Sequence, residues 1–369
     1  RSLFGNNLMT LKYMKKFLIC IFCSLMVFSA SAQKTQQNFV IGFYNLENLF
    51  DIYDDPVKND GEFLPEGKNK WTQEKYDIKQ RNMAKVIAEM AKNNGRWHTI
   101  LGVSEIENRL VLEDLVSQES IAEANYQIVH YDSPDRRGVD VGLLYKPDQF
   151  TYLDSESIPF TFEGSDIDFS DTNTEYFRTR DILMVHGLIA GEQFAFYVMH
   201  LPSRIGGKGG NLRSRGAEIA YAHAQEMEAK YPGIKIVMMG DMNDDPFDES
   251  MVTYLHGKET IAEMTPQDYY NPYLSMIKAG YGSLCYQGTW CIYDQELINY
   301  NLAVAPEGGL KIQPVTKGRG VWYDGVIFKR PFMTTQKGQY KGYPFRTFSN
   351  GAFVGGYSDH YPTYIVLGK

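Results

Sequence analysis

The sequence predicts an α/β fold with more than one β-sheet, and three observations carry that prediction. Short β-type runs recur along the chain, amphipathic helical stretches alternate with them, and no repeat, low-complexity tract or Pro/Ser-rich linker divides residues 38–369. These residues read as one large domain. A composition 43% hydrophobic and 14% aromatic supplies ample core and excludes large-scale disorder. The runs at 39–44, 99–103, 139–145, 182–189, 194–199, 234–239, 321–328 and 361–367 are bounded by turn or polar residues, as strands are. Between them, 71–91 carries Tyr76, Met83, Val86, Ile87 and Met90 at helical spacing. Residues 211–230 are similarly amphipathic after a capping Asn211, so both stretches are expected to cover a sheet face. Residues 54–70 and 164–174 read as polar surface insertions. The pattern dictates no strand order.

Ahead of this domain, Met14-Lys15-Lys16 is followed by an apolar run at 17–28 and by Ser29-Ala30-Ser31-Ala32. This is the layout of a signal peptide over 14–32, with Gln33 as the expected mature N-terminus. The run is shorter than the roughly 20 residues that span a bilayer, so a periplasmic or secreted protein without a stable membrane span is expected. Removing Arg1, Lys12, Lys15 and Lys16 changes the net charge from −8 to −12, with 33 basic against 45 acidic residues. A long polyanion would be repelled overall, which disfavours a dedicated duplex-binding protein. Cys285 and Cys291 alone follow the leader, flanking 286–290 with its Gly288. Two readings stand for them, a disulfide in an oxidising compartment or two buried free thiols.

Five segments share one design, an apolar strand ending abruptly in carboxylate, amide or imidazole groups. They are Tyr44-Asn45-Leu46-Glu47-Asn48, Ser104-Glu105-Ile106-Glu107-Asn108, Met199-His200-Leu201-Pro202-Ser203, Gly240-Asp241-Met242-Asn243-Asp244 and Tyr357-Ser358-Asp359-His360. Strand ends in an α/β fold converge at one edge, where loops build sites. One such segment is a solvated turn more often than not. Five together point to a catalytic site.

Asn-x-Glu after the first strand, a lone strand-end Glu, Gly-Asp-x-Asn and a closing Ser-Asp-His occur in that order over residues 39–367. In this the sequence resembles the endonuclease/exonuclease/phosphatase superfamily, which includes pancreatic-type deoxyribonucleases, abasic-site endonucleases, inositol polyphosphate phosphatases and bacterial sphingomyelinases. The resemblance implies two mixed β-sheets packed face to face with helices outside, a four-layer sandwich. It implies metal binding at Glu105, with Asn45 and Asp359 alongside and Glu47 as a further carboxylate. Such hard oxygen ligands suit Mg2+ or Mn2+, and no Cys/His spacing suits zinc. Asp241 would position or deprotonate the attacking water, Asn243 would hold a phosphate oxygen and His200 would lie against the phosphate. His360 needs a carboxylate to fix its tautomer. The resemblance places that group at Asp294, although the segment lacks the family's Arg before the Asp, and Asp324 in Tyr323-Asp324-Gly325-Val326 is a rival. Arg180 matches the basic residue before the family's central strand and is expected at the phosphate. Arg213 and Arg215 open the second helix and either do likewise or are solvated helix charges.

The expected reaction is hydrolysis of a phosphodiester or phosphomonoester by activated water in an exported Mg2+-dependent enzyme. Whether His360 or Asp241 is the base stays open. A small phosphate ester or lipid head group is favoured as substrate over nucleic acid, because the chain is acidic and shows no aromatic-basic stripe. An extracellular nuclease acting on DNA or RNA is the alternative among enzymes. A non-catalytic exported binding module is the alternative outside them, and the intact residue set disfavours it.

Overall fold

The computed structural model describes residues 37–204, 209–318 and 320–369, so the expected leader at 14–32 lies outside the described residues. In chain order the long strands β1 (Asn38–Leu49), β2 (Ile100–Ile106), β3 (Gln127–His130), β4 (Asp140–Tyr145), β5 (Phe150–Ile158), β6 (Ile182–Ile189), β7 (Glu192–His200) and β8 (Lys235–Asp241) come first. Short strands β9 (Gly257–Lys258), β10 (Tyr269–Tyr270), β11 (Leu284–Tyr286) and β12 (Thr289–Cys291) lead to β13 (Asp294–Asn299). After β14 (Lys311–Gln313), β15 (Thr316–Gly318), β16 (Val321–Tyr323), β17 (Gly325–Ile327), β18 (Phe348–Ser349) and β19 (Ala352–Phe353) the chain closes on β20 (Thr363–Gly368). The helices are α1 (Gln73–Asn94), α2 (Arg109–Val116), α3 (Gly210–Lys230), α4 (Tyr273–Lys278) and α5 (Tyr300–Ala303).

Two seven-stranded sheets form, one ordered β14-β20-β1-β2-β4-β3 with β17 also on β20, the other ordered β5-β6-β7-β8-β13-β10-β9. Both are mixed, with β1 parallel to β2 in the first and β7 parallel to β8 in the second. Successive strand side chains point to opposite faces. Ile41, Phe43, Ile100, Leu143 and Ile365 of the first sheet therefore meet Val185, Phe196, Val198, Val237, Met239 and Ile298 of the second in one buried cluster. The intervening residues face outward: Val40, Tyr44, Leu101 and Val103 pack on Met83, Val86, Ile87 and Met90 of α1. Tyr197, Met199, Ile236 and Met238 pack on Ala217, Ala220, Ala224 and Met227 of α3. The result is helix on sheet on sheet on helix, the four-layer sandwich. Each Val, Leu, Ile, Phe or Met side chain buried in these interfaces contributes about 1.5–3 kcal/mol. Among the described residues no helix is long and apolar enough to cross a membrane.

Local details correct the sequence reading. The cap of α3 is Gly209 at φ 85°, and Asn211 sits in the first turn, where its amide donates to the Asp168 carbonyl and to Asp171 Oδ1. The run at 321–328 divides at Asp324 into β16 and β17, which belong to different sheets. Cys285 and Cys291 are free thiols. In the β11–β12 hairpin Cys285 lies opposite Trp290 and Cys291 opposite Leu284, so the two sulfurs lie on opposite faces of the ribbon. The disulfide reading is thereby overturned.

Candidate active site

Strand register assembles half of the site. His200 of β7 pairs with Asp241 of β8, which pairs with Asp294 of β13, placing the three side by side across the second sheet. By alternation they share the inward face with Val198, Met239 and Ile298. The close approach of β7 and β8 requires glycine at 240, where a Cβ would lie 2.1 Å from the Met199 carbonyl oxygen. From the first sheet Asn45 is on the inward line of Ile41 and Phe43. Its amide nitrogen donates to Asp241 Oδ2 at 2.9 Å and to Glu105 Oε1 at 3.1 Å, so it joins the two sheets.

Backbone at the strand ends is strained where chemistry concentrates. Glu47, Asn48, Glu105 and Asn243 all adopt φ between 46° and 57°. Such left-handed geometry costs a non-glycine residue about 1–3 kcal/mol. Local hydrogen bonds offset the cost: Asn48 N–H donates to Glu105 Oε2 at 2.9 Å, Glu47 N–H to Asn45 Oδ1 at 2.8 Å and Asn243 N–H to Asp241 Oδ1 at 3.0 Å. The Asn243 amide closes its turn on the Leu201 carbonyl at 3.0 Å.

The electrostatics divide the titratable groups. Burial pushes the Asp241 carboxyl up to about 7; Asp294 and Glu105 add to the rise, while His360 opposes it. Burial also drives His200 well below its ordinary value, helped by Arg180 and Arg137, so its imidazole is neutral. Its Nε2 lies 3.7 Å from Asp241 Oδ2 and 3.9 Å from Glu105 Oε1. His360 behaves oppositely. Burial disfavours its charge, yet Asp294 and Asp241 outweigh burial and raise it well above the usual value. Its Nδ1 lies 3.0 and 2.8 Å from the Asp294 oxygens, and Ser283 Oγ donates to Asp294 at 2.5 Å. The rival Asp324 instead accepts from Tyr270 at 2.8 Å.

The expected metal set is divided. Glu105, His200 and Asp241 bring potential ligand atoms within 4.8 Å of one another, with Asn45 bonded to both carboxylates. Asn45 presents its NH2 to them, because its oxygen is taken by Glu47 N–H. Glu47 and Asp359 belong to a neighbouring ion-pair knot. Arg346 donates to Glu47 Oε1 at 3.0 Å and to Asp359 Oδ2 at 2.9 Å, and Thr347 N–H donates to Glu47 Oε2 at 2.6 Å. Beneath them the fully buried Lys79 donates to Thr347 Oγ1 at 2.7 Å and to the Tyr357 carbonyl at 2.5 Å. Neither Arg346 nor Lys79 carries a sequence motif, and both escaped the sequence reading.

The three arginines expected at the phosphate are buried braces. Arg180 donates to the carbonyls of His200 at 3.1 Å and Leu201 at 2.9 Å and to Asp135 at 3.3 Å, holding the end of β7. Arg213 binds the Pro202 carbonyl at 3.2 Å and pairs with Asp244 at 2.7 Å. Arg215 donates to the carbonyls of Thr161 and Glu163 and to Glu218. All three guanidinium groups are buried on backbone carbonyls and carboxylates, which corrects the solvated-charge reading of Arg213 and Arg215.

Structures of known proteins share this architecture. TDP2 of D. rerio, humanised by 14 mutations, superposes with a TM-score of 0.52 at 13% identity over 90% of this chain and 99% of its own. An endonuclease/exonuclease/phosphatase family protein of Bacteroides thetaiotaomicron gives 0.52 at 15% identity, covering 90% and 98%. A mannosyl-6-phosphatase of the same organism gives 0.50 at 15% identity, covering 89% and 99%. At such identities the likeness establishes the fold. Comparison with curated protein sequences gives no match. The sequence profile of the endonuclease/exonuclease/phosphatase family, however, matches residues 40–369, and the chain belongs to that family.

Proposed function

We propose that the protein is an exported, divalent-metal-dependent phosphoesterase acting on a small or head-group phosphate ester. The observation that carries this reading is the convergence of Asn45, Glu105, His200, Asp241, Asp294 and His360 from both sheets at one end of the sandwich. Glu105 and Asp241 fit Mg2+ or Mn2+: both offer hard oxygens, and their crowding in a buried site, which raises Asp241, would be relieved by a cation. When bound there, the ion supplies charge neutralisation and polarises a phosphoryl oxygen.

The protein's own groups account for the remaining chemistry. Asp241, held by the Asn45 amide in the row beside His200, orients a water and accepts its proton as the water oxygen bonds to phosphorus and the ester P–O bond breaks. His360, kept protonated by Asp294, donates from Nε2 to the developing negative charge. Neutral His200 and the Asn243 turn shape the opposite wall. The structural neighbours, a mannosyl-6-phosphatase and a D. rerio TDP2 bound to single-strand DNA product, agree with phosphate-ester chemistry in general while differing in substrate.

A hydrolysis screen over sugar phosphates, inositol phosphates, phospholipid head groups and nucleic acids, with and without Mg2+, tests the reading. Activity should require the ion, and Glu105→Gln should remove most of it while the melting temperature stays unchanged. Full turnover in excess chelator would exclude the mechanism. Export rests on residues 14–32, and the intact mass of protein recovered from the native envelope or medium should begin at Gln33.

A further inference from the structure

We infer that the cavity beside Asp359 and Arg346 is a leaving-group subsite for the ring of a hexose phosphate, an inference that rests on the phosphoesterase reading above. The cavity measures about 950 Å3, at the upper end of the range typical of small-molecule sites and far larger than a phosphate group needs. Arg346 and Asp359 line it, and Asp359 Oδ1 lies 3.9 Å from His360 Nε2, so the space adjoins the reacting centre. A group esterified to a phosphate at that centre has this room to occupy.

The lining matches a polyhydroxylated ring. Tyr286, Tyr340 and Tyr343 line the cavity, and Tyr286 and Tyr340 are 67% and 41% exposed. Aromatic surface of that kind at a cavity wall is suited to stacking a flat apolar face. The C–H face of a pyranose is one. Gln287, Gln339 and Asn350 supply neutral amides, which both donate and accept as hydroxyl groups require. The Gln287 amide steadies Tyr286 through its hydroxyl at 3.2 Å. A nucleic-acid strand needs a cationic groove tracking successive phosphates, and here Lys337 and Arg346 are the basic residues of the described lining.

The test compares initial rates of the full-length protein in Mg2+ on mannose 6-phosphate, glucose 6-phosphate, glycerol 3-phosphate and adenosine 5′-monophosphate. The hexose and glycerol esters are both primary alkyl phosphates and differ in the ring. The kcat/KM ratio of hexose 6-phosphate to glycerol 3-phosphate should exceed about tenfold, and the Tyr286→Ala/Tyr340→Ala double variant should lose about tenfold of that ratio. Equal ratios, a ratio unmoved by the double variant, or a preference for the nucleotide would each overturn the inference. Should no ester be hydrolysed, the phosphoesterase reading fails and the subsite is judged by calorimetric titration of glucose 6-phosphate. Binding weakened by the double variant supports the subsite, and no binding to the wild-type protein overturns it. If the double variant does not fold, Gln339→Ala on an exposed loop carries the same comparisons.

Discussion

His360 and Asp294 act as one unit. The aspartate is fully buried, receives Ser283 on one side and faces both its oxygens to His360 Nδ1. Removing either partner should lower kcat/KM by about 10²–10⁴. Because each change already destroys the oriented imidazolium, the double variant should fall little further, and a double-mutant cycle on purified protein reads the non-additivity. Two independent, multiplying losses would show that they do not work as a pair. Arg346 makes a second residue-scale case. Its guanidinium lies between Glu47 and Asp359 on a half-exposed side chain, so Arg346→Ala should leave the protein folded. The unneutralised carboxylates would then repel the substrate, lowering kcat/KM by about tenfold, with Arg346→Lys recovering part because a lysine keeps the charge and loses the fork. A variant indistinguishable from wild type would remove Arg346 from the site.

The paired strands β7 and β8 hold His200 and Asp241 in register, and their spacing depends on Gly240. A methyl group at that position would meet the Met199 carbonyl oxygen at 2.1 Å and the Met199 carbonyl carbon at 2.8 Å, neither of which can rotate away. Gly240→Ala should therefore part the two strands, destabilising the protein by about 1–3 kcal/mol and displacing Asp241 from Asn45. Urea melts measure the first effect, and turnover of the folded fraction measures the second. Wild-type stability in the alanine variant would mean that the strands are less closely apposed. The same elements explain why Arg180 and Arg213 are buried. The loop after β7 leaves carbonyl groups at 200–202 without strand partners, and Arg180 and Arg213 satisfy them.

Across the whole molecule the buried interface between the sheets holds carboxyls that burial raises, Glu296 as well as Asp241. Glu296 of β13 is buried among donors from Tyr273 and Thr363, and burial pushes its carboxyl up to about 8. An unfolded glutamate titrates near about 4.3. A folded value above the unfolded one means that the stabilisation is complete below the lower value and is lost as pH rises through about 8. Between pH 5 and 9 the unfolding free energy of Glu296→Gln should accordingly gain on that of the wild type, each tenfold difference in proton affinity being worth about 1.4 kcal/mol. Parallel pH profiles from denaturant melts would mean that Glu296 ionises freely in the fold. At this scale charge also bears on the substrate. With a net of −12 after residue 32, turnover should depend only weakly on salt, whereas DNA binding that collapses between roughly 50 and 200 mM salt would establish the nuclease alternative.

Much of this protein was legible in the sequence because much of it is local. Strand alternation is a property of neighbouring residues, so the pattern that buries Ile41 and Phe43 also sends Asn45 inward, and the runs ending in His200 and Asp241 obey the same rule. The helices announced themselves by spacing for the same reason, and the ordered motifs named the family. Tertiary structure alone decided which strands are neighbours, and hence that His200, Asp241 and Asp294 stand in one row. It also decided that Arg346 meets Glu47 from 299 residues away, that Lys79 of an amphipathic helix is wholly buried beneath them, and that Cys285 and Cys291 face apart. These are pairings between distant segments, and a charge partner supplied by the far end of a chain leaves no periodicity to read. The sequence could name the chemical groups; their pairing came from the packing of the two sheets.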